Sequence, residues 1–238
     1  LPGVRETDIP VPDAKNSVWK LNAETIGVYR VAYSPEHLAK LGKAAAQKDS
    51  AFSLEDRVGL VSDAFTLAQA GYSKTSGGLA LMHALRGDNS SLVNTAAALN
   101  LGKLASVWWE QPQSVRDAIN RFRADVFGPM ARELTFEFGA NDSSELRELR
   151  ETVITAAASA GDPWTLDEIR RRFAPLQEHG DYSLIHPDLL RTVLSQAVKH
   201  GGEAEYETVM GVYRAPPTPA HKTSAMVALG TTQDAALI

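Results

Sequence analysis

The chain has 238 residues, of which 44% are hydrophobic and 22% charged, and its formal net charge is -5. This composition is typical of a globular protein with a substantial core, and the mild acidity disfavours nucleic acids and anionic membranes, which bind basic surfaces. Cysteine is absent, so disulfides, thiolate nucleophiles and cysteine-based zinc sites are excluded.

The N-terminal segment, Leu1–Ser17, is rich in proline and polar residues and predicts an extended lead-in. It has neither the charged n-region nor the apolar h-region of a signal peptide. The sequence has no apolar run near the ~20 residues that cross a bilayer. Because the first residue is Leu rather than Met, we interpret the chain as a fragment of a longer protein.

Two short runs after the lead-in are typical of β-strands. Val18–Asn22 alternates apolar and polar residues, and Val28–Tyr33 is rich in β-branched and aromatic residues. Gly27 lies just before the second run, where a turn or bulge would need it. The pattern predicts a hairpin. Since an isolated hairpin is only marginally stable, we interpret it as the remnant or edge of a larger sheet.

From Ser34 onward the sequence predicts helices, through N-caps such as Ser34 and Ser53 and through apolar residues spaced three and four apart. Gly128-Pro129 is expected to break or kink one of them. Thr165 and Glu168 have the spacing of a capping box and predict a helix start. The predicted segments cover 34–42, 53–71, 78–86, 91–109, 113–136, 146–157, 165–173, 186–202, 203–214, 218–230 and 231–238.

Helices of ordinary length with short loops indicate stacked antiparallel helix pairs, as in HEAT or armadillo arrays, although no strict repeat period is present. The predicted fold class is therefore mainly α: an irregular α-superhelix over residues 34–238, preceded by a short β-hairpin that is the remnant of a larger sheet. A closed bundle is the alternative. The last apolar segment, from Thr231, lacks a polar cap, which again predicts truncation.

Catalytic and metal-binding motifs are absent from the sequence. There is no H-E-x-x-H, G-x-S-x-G, G-x-G-x-x-G or phosphate-binding loop. We assign no catalytic, cofactor-binding or metal-binding residue, although a metal site assembled in space stays open. The histidines favour structural roles, such as binding carbonyl groups at helix ends. They are His37, His83, His179, His186, His200 and His221.

Two residue pairs deserve a structural prediction. Arg57 and Asp63 lie on a helix that is apolar on two faces, and a buried charge there needs a partner. We expect them in an ion pair that joins this helix to another element. Trp108-Trp109, near a helix end, favours core packing, with a sugar or peptide platform as the functional alternative.

Several stretches resemble one known family, the zinc aminopeptidases related to aminopeptidase N, which include the puromycin-sensitive and endoplasmic-reticulum enzymes. Trp19–Tyr33, "WKLNAETIGVYRVAY", resembles their W-x-x-x-N…G-x-Y-R-V-x-Y segment, with Val28 where Phe is common and Ala32 where Asn is common. In that family the segment closes a small β-sandwich and leads into the helical C-terminal domain. The resemblance therefore implies that residues 1–33 are the end of a small β-sandwich domain and that residues 34–238 are the first part of the helical domain. Ser53–Tyr72 resembles the next landmark, D-R-x-x-L-x-x-D-x-F-x-L-x-x-x-G. Leu189–Gly202 and Val209–Ile238 resemble later parts of the same helical C-terminal domain, in the same order.

The resemblance implies a parent enzyme that removes N-terminal residues from peptides, with a zinc held by two His and one Glu and a second Glu that activates water. The H-E-x-x-H and G-x-M-E-N motifs of that site do not occur here, so no cofactor is expected in this chain and it should be inactive alone. The implied role is to enclose the peptide substrate and close over the catalytic domain of the same polypeptide. The puromycin-sensitive branch, which the chain resembles most, implies a cytoplasmic location.

Two other functions stay open from the residues alone. The first is a free-standing helical-repeat module for protein interaction, without an enzyme attached. The second is an independent hydrolase whose site is assembled only in space.

Overall fold

The computed structural model describes residues 8–237. The predicted lead-in therefore lies outside the described residues as far as Thr7, and so does Ile238 at the end of the last predicted helix. The described part is built of helices and contains no β-strand, which confirms the mainly α class. The helices are α1 Pro35–Ala45, α2 Leu54–Gln69, α3 Thr75–Ala84, α4 Ser91–Val107, α5 Gln113–Leu134, α6 Ser144–Ser159, α7 Pro163–His179, α8 Leu190–His200, α9 Glu203–Arg214 and α10 Pro219–Leu229.

Three short 3-10 turns complete the secondary structure of this part, at Ala23–Thr25, Pro187–Leu189 and Ala235–Leu237. The last of them lies where the sequence predicts a final α-helix. The described residues divide into two compact units, with the boundary between Leu85 and Arg86.

The predicted hairpin is not formed in residues 18–33. Asn22 has a left-handed backbone, with φ of 56°, and its side chain binds the backbone that a second strand would present. Its Nδ2 donates to the carbonyls of Gly27 and Tyr29, at 3.0 and 3.2 Å, and its Oδ1 accepts from the Gly27 N–H at 2.7 Å. The Val31 N–H donates to a carboxylate of α2 instead. Side chains thus occupy hydrogen-bonding groups that a strand ladder would need.

In the first unit, α3 packs against both α1 and α2. Leu41, Val61 and Leu81 are fully buried, one from each helix. The predicted N-caps are confirmed, because the Ser34 side chain accepts from the His37 N–H and the Ser53 side chain accepts from the Asp56 N–H.

In the second unit, the helices make two series of contacts. One series runs from α4 to α6, α8 and α10, and the other from α5 to α7 and α9. Phe127, Ile154 and Leu194 are among the largest fully buried side chains between them. These contacts fit helices in two layers, while the superhelical arrangement stays a prediction.

In this unit one predicted segment is not broken at its proline, and another helix begins earlier than predicted. The α5 helix continues through Gly128-Pro129, because Pro129 lies on its exposed side, where water can bind the carbonyl left without a helical donor. The α7 helix starts at Pro163 rather than at Thr165, since Asp162 is the N-cap and accepts from the Thr165 N–H at 3.0 Å.

Candidate functional site

The six histidines lie on different structural elements. His179 and His200 are the last residues of α7 and α8. His37 packs 4.3 Å from the Trp19 ring, and its Nε2 lies 2.8 Å from the Trp19 carbonyl oxygen. Within residues 8–237, no three or more His, Asp or Glu side chains come together in a group that could hold a metal ion. The described residues therefore do not provide the zinc site that the family resemblance implies for a parent enzyme.

Asp63 has a different partner from the one predicted. Its Oδ1 accepts from Arg30 at 2.8 Å, and its Oδ2 accepts from the Val31 N–H at 3.0 Å. Arg57 lies six residues before Asp63, which places the two side chains on different faces of the helix. Asp63 does join the helix to another element, as expected, but this element is the extended segment before α1.

A second carboxylate of α2 holds the same segment. Asp56, 6% exposed, is 2.7 Å from Lys20 Nζ and also accepts from the Glu24 and Ser53 N–H groups. Burial alone would raise the pKa of Asp56, but the hydrogen bonds from Lys20, Ser53 and Glu24 outweigh it and lower the pKa. Asp56 is therefore a charged anchor for residues 20–24.

The loop between α5 and α6, residues 135–143, is bound by buried arginines. Arg150, 6% exposed, donates to the Leu134 carbonyl at 3.0 Å and to Asp142 at 2.6 Å, and it lies 4.6 Å from the Phe138 ring centre. Bonds from the Gly139 N–H and from Arg150 lower the pKa of Asp142. Arg172 donates to Glu137 at 2.5 Å and to the Leu184 carbonyl at 3.0 Å. These hydrogen bonds tie the loop to α6 and α7, so we interpret both arginines as structural.

The tryptophan pair lies at the end of α4. Trp109 is 65% exposed, so it is not the core residue that the sequence favours. Both indoles line a pocket of about 210 Å³ together with Arg116 and Asn120 from α5. Arg116 also donates to the Trp109 carbonyl at 3.1 Å, which ties the start of α5 to the end of α4. The geometry thus leaves the alternative of a binding platform open for Trp109.

A second pocket, here called the α7–α9 pocket, lies between α7, α8 and α9 and has a volume of about 210 Å³. Its apolar wall consists of side chains from α7 and of Ala197. Its polar groups come from all three helices. The lining residues are Leu166, Ile169, Arg170, Phe173, Gln177, Gln196, Ala197, His200, Gly201 and Glu205.

Different interactions set the charge states of Glu205 and His200 in the α7–α9 pocket. The Gly202 N–H donates to Glu205 at 2.8 Å and, as the leading cause, lowers the pKa of this carboxyl, so that it is ionised at neutral pH. Burial and the neighbouring Lys199 and Arg170 charges lower the pKa of His200, which favours the neutral imidazole. Gln196 is 8% exposed, and its Oε1 is buried without a hydrogen-bond partner.

Sequence reasoning missed the α7–α9 pocket because nothing in the sequence joins its lining residues. Arg170, Gln196 and Glu205 come from three helices, and each looks like an ordinary helical polar residue. The one available signal is a polar residue within the apolar face of α8, and that residue is Gln196.

Comparison with known proteins gives the class of this chain. Residues 19–238 match the family model of the ERAP1-like C-terminal domain. Aminopeptidase 2 of Candida albicans is 30% identical over 226 residues, which are 95% of this chain and 24% of that protein. The alanine/arginine aminopeptidase of Saccharomyces cerevisiae is 31% identical over 221 residues, 92% of this chain and 25% of its own. The puromycin-sensitive aminopeptidase of Caenorhabditis elegans is 26% identical over 220 residues.

The chain belongs to the family of ERAP1-like C-terminal domains found in aminopeptidases. This confirms the resemblance inferred from Trp19–Tyr33 and the later landmarks. The chain spans about a quarter of the length of the curated relatives it matches. No helix among residues 8–237 is long and apolar enough to cross a membrane.

Proposed function

We propose that this chain is the non-catalytic, helical C-terminal part of a zinc metallo-aminopeptidase that removes N-terminal residues from peptides. Its part in the reaction is to enclose the peptide substrate and to close over the catalytic domain of the same polypeptide. The observation that carries the proposal is the family match over residues 19–238, in relatives of which this chain covers only about a quarter.

The exposed side chains of residues 26–29 support the assignment of residues 1–33 to the end of a preceding β-sandwich. Ile26 is 77% exposed, Tyr29 58%, and Val28 is fully exposed. Neighbouring strands would cover such side chains and stabilise them by apolar burial. Residues 34–238 are then the first part of the helical domain.

The partners follow from the same proposal: a catalytic domain on the same polypeptide and a peptide substrate, without nucleic acid or membrane. The acidic net charge of -5 supports the last point. The proposed location is cytoplasmic, which accords with the absence of cysteine.

The test combines sequence and activity. The coding region before Leu1 should contain H-E-x-x-H and G-x-M-E-N. The purified 238-residue chain should not hydrolyse an aminoacyl-arylamide with zinc added. The polypeptide encoded before Leu1, mixed with this chain, should hydrolyse peptides at least tenfold faster than it does alone.

Two outcomes would contradict the proposal. Zinc-dependent hydrolysis by the 238-residue chain alone would make it an enzyme in its own right. A coding region without the two motifs would instead support the free-standing interaction module.

A further inference from the structure

The α7–α9 pocket holds a polar group that nothing in the protein satisfies. The Gln196 side chain is 92% buried, and its Oε1 has no hydrogen-bond partner. Folded proteins rarely leave a buried acceptor without a donor, because the acceptor loses its hydrogen bonds to water. Because this oxygen is covered by protein atoms, the amide must rotate before Oε1 can accept from an N–H group of a bound molecule.

Two side chains of opposite charge, Arg170 and Glu205, line the same pocket and do not form an ion pair with each other. Glu205 is ionised and has lone pairs left after accepting from Gln177 at 3.2 Å and from Gly202 at 2.8 Å. Arg170 pairs with Asp167 on its own helix and remains largely exposed. Among the described residues no ion pair joins Arg170 to Glu205, so a ligand can lie between a cation and an anion.

The remaining wall of the pocket is apolar, formed by Leu166, Ile169, Phe173 and Ala197. The volume of about 210 Å³ lies below the ~300–1,000 Å³ of pockets for drug-sized ligands. These features suit an occupant that is small, partly apolar, and charged with both signs.

We propose that the α7–α9 pocket binds a free apolar α-amino acid. The ammonium group pairs with Glu205, and the carboxylate pairs with Arg170. The apolar side chain packs on Phe173 and Ile169. Gln196 hydrogen-bonds the head group and thereby satisfies its amide.

The role of such a site rests on the proposed function. Free amino acids are the products of an aminopeptidase, and an occupied pocket links α7 to α8 and α9. The occupancy of the site would then depend on the product concentration. All residues of the site belong to this chain.

The first experiment measures binding to the purified 238-residue chain by two-dimensional NMR, with L-leucine as the probe. We expect saturable shifts concentrated in amides of residues 163–179 and 190–207. N-acetyl-L-leucine lacks the ammonium, L-leucinamide lacks the carboxylate and glycine lacks the side chain. Each should bind at least tenfold more weakly than L-leucine. No saturable binding of L-leucine, or equal binding of N-acetyl-L-leucine, would overturn the proposal.

Variants then assign the two charges. Glu205→Gln keeps a capping acceptor for the Gly202 N–H but loses the charge, and should weaken L-leucine at least tenfold while leaving N-acetyl-L-leucine unchanged. Arg170→Met should weaken L-leucine similarly and leave L-leucinamide unchanged. The matched controls, Glu207→Gln and Arg171→Met, alter exposed neighbours on the same helices and should bind L-leucine normally.

Gln196→Met tests binding to the pocket without changing Glu205 or Arg170. It keeps the length of the side chain and should weaken L-leucine about fivefold, through the lost hydrogen bond. Normal binding by folded Glu205→Gln and Arg170→Met proteins would overturn the proposed pose. Binding needs no catalytic domain, so this result is independent of the activity test above. A chain that binds L-leucine but never supports peptide hydrolysis would contradict only the proposed function.

Discussion

The segment of residues 18–33 rests on α2 through polar side chains and leaves apolar ones in solvent, whereas the helices of the second unit pack through apolar side chains. Lys20 and Arg30 reach Asp56 and Asp63, while Val28 is fully exposed. In the second unit, Val153, Ile154 and Leu194 are fully buried. The contrast teaches that apolar character alone does not place a residue in a core; a neighbouring surface must be present to receive it.

Removal of the Asp56 carboxylate should have the largest effect on stability. Asp56→Ala leaves Lys20, whose side chain is 9% exposed, as a buried charge without its carboxylate, and it also takes an acceptor from the Glu24 N–H. We expect a loss of about 3–5 kcal/mol in the free energy of unfolding. Urea denaturation followed by circular dichroism measures it.

Glu55→Ala is the matched control, since Glu55 lies in the same first turn with an exposed side chain. It should change the free energy of unfolding by less than about 0.5 kcal/mol. Equal effects of the two substitutions would show that the segment is not anchored through Asp56.

The comparable test in the second unit is Arg150→Met. This substitution keeps the apolar length of the side chain but removes the donors to Asp142 and to the Leu134 carbonyl. We expect a loss of about 3 kcal/mol in the free energy of unfolding. Arg147→Met is the control, because the Arg147–Asp188 pair is partly exposed, and it should cost less than about 1 kcal/mol. A smaller loss for Arg150→Met than for Arg147→Met would refute the structural role of this arginine.

The pH dependence of stability should sharpen the comparison further. The pKa of Asp56 is lowered in the folded protein, so its stabilisation is complete above the unfolded pKa of ~3.9 and is lost as the pH falls through the folded pKa. The free energy of unfolding of the wild type should exceed that of Asp56→Asn by a constant amount above about pH 5. The difference should shrink below about pH 4.

The measurement is urea denaturation of both proteins at pH values from 7 to 2.5. A difference that does not change over this range would mean that the pKa of Asp56 is not lowered by folding.

The more exposed ion pair of the segment should have a smaller effect. The Arg30 side chain is 46% exposed and that of Asp63 is 15% exposed. Arg30→Met should therefore lower the free energy of unfolding by about 0.2–1 kcal/mol. Asp63→Ala should cost more than Arg30→Met, because it also removes the acceptor of the Val31 N–H. The reverse order would contradict the assigned hydrogen bond.

The smallest expected change is in the second unit and has the opposite sign. Gln196→Met removes a buried acceptor that lacks a donor, so the free energy of unfolding should stay the same or rise by up to about 1 kcal/mol. Gln177→Met is the contrast, because it loses the hydrogen bond to Glu205 and should be destabilising. A clear loss of stability for Gln196→Met would show that this amide is satisfied in solution.

The sequence predicts most helices, because their signals are local. Ser34 and Ser53 cap α1 and α2 as expected, and Thr218 caps α10. The hairpin prediction fails because it depends on contacts that the pattern does not record, namely the hydrogen bonds of the Asn22 side chain to Gly27 and Tyr29. Strand patterns describe a half-buried surface rather than a backbone preference, so their outcome depends on neighbours.

The candidate sites were predicted less well than the helices. The Trp108-Trp109 pair was recognised, but its exposure was not, since a helix end gives no sign of which ring meets solvent. The predicted partner of Asp63 is wrong, because its actual partner, Arg30, lies 33 residues away along the chain. The α7–α9 pocket forms only where three helices pack together, so it cannot be predicted without the tertiary structure.

Gly128 illustrates how one missing methyl group constrains protein evolution and engineering. A Cβ at this position would lie 2.6 Å from Asp162 Oδ1 and 2.9 Å from Arg132 Nη1. The same Asp162 caps α7 and pairs with Arg132 at 2.8 Å. The exposed Arg132 side chain can move aside, whereas Asp162 is buried. In a randomised library, a larger residue at position 128 should therefore survive mainly together with a replacement at 162. Positions 128 and 162 would then vary together, although they lie on different elements.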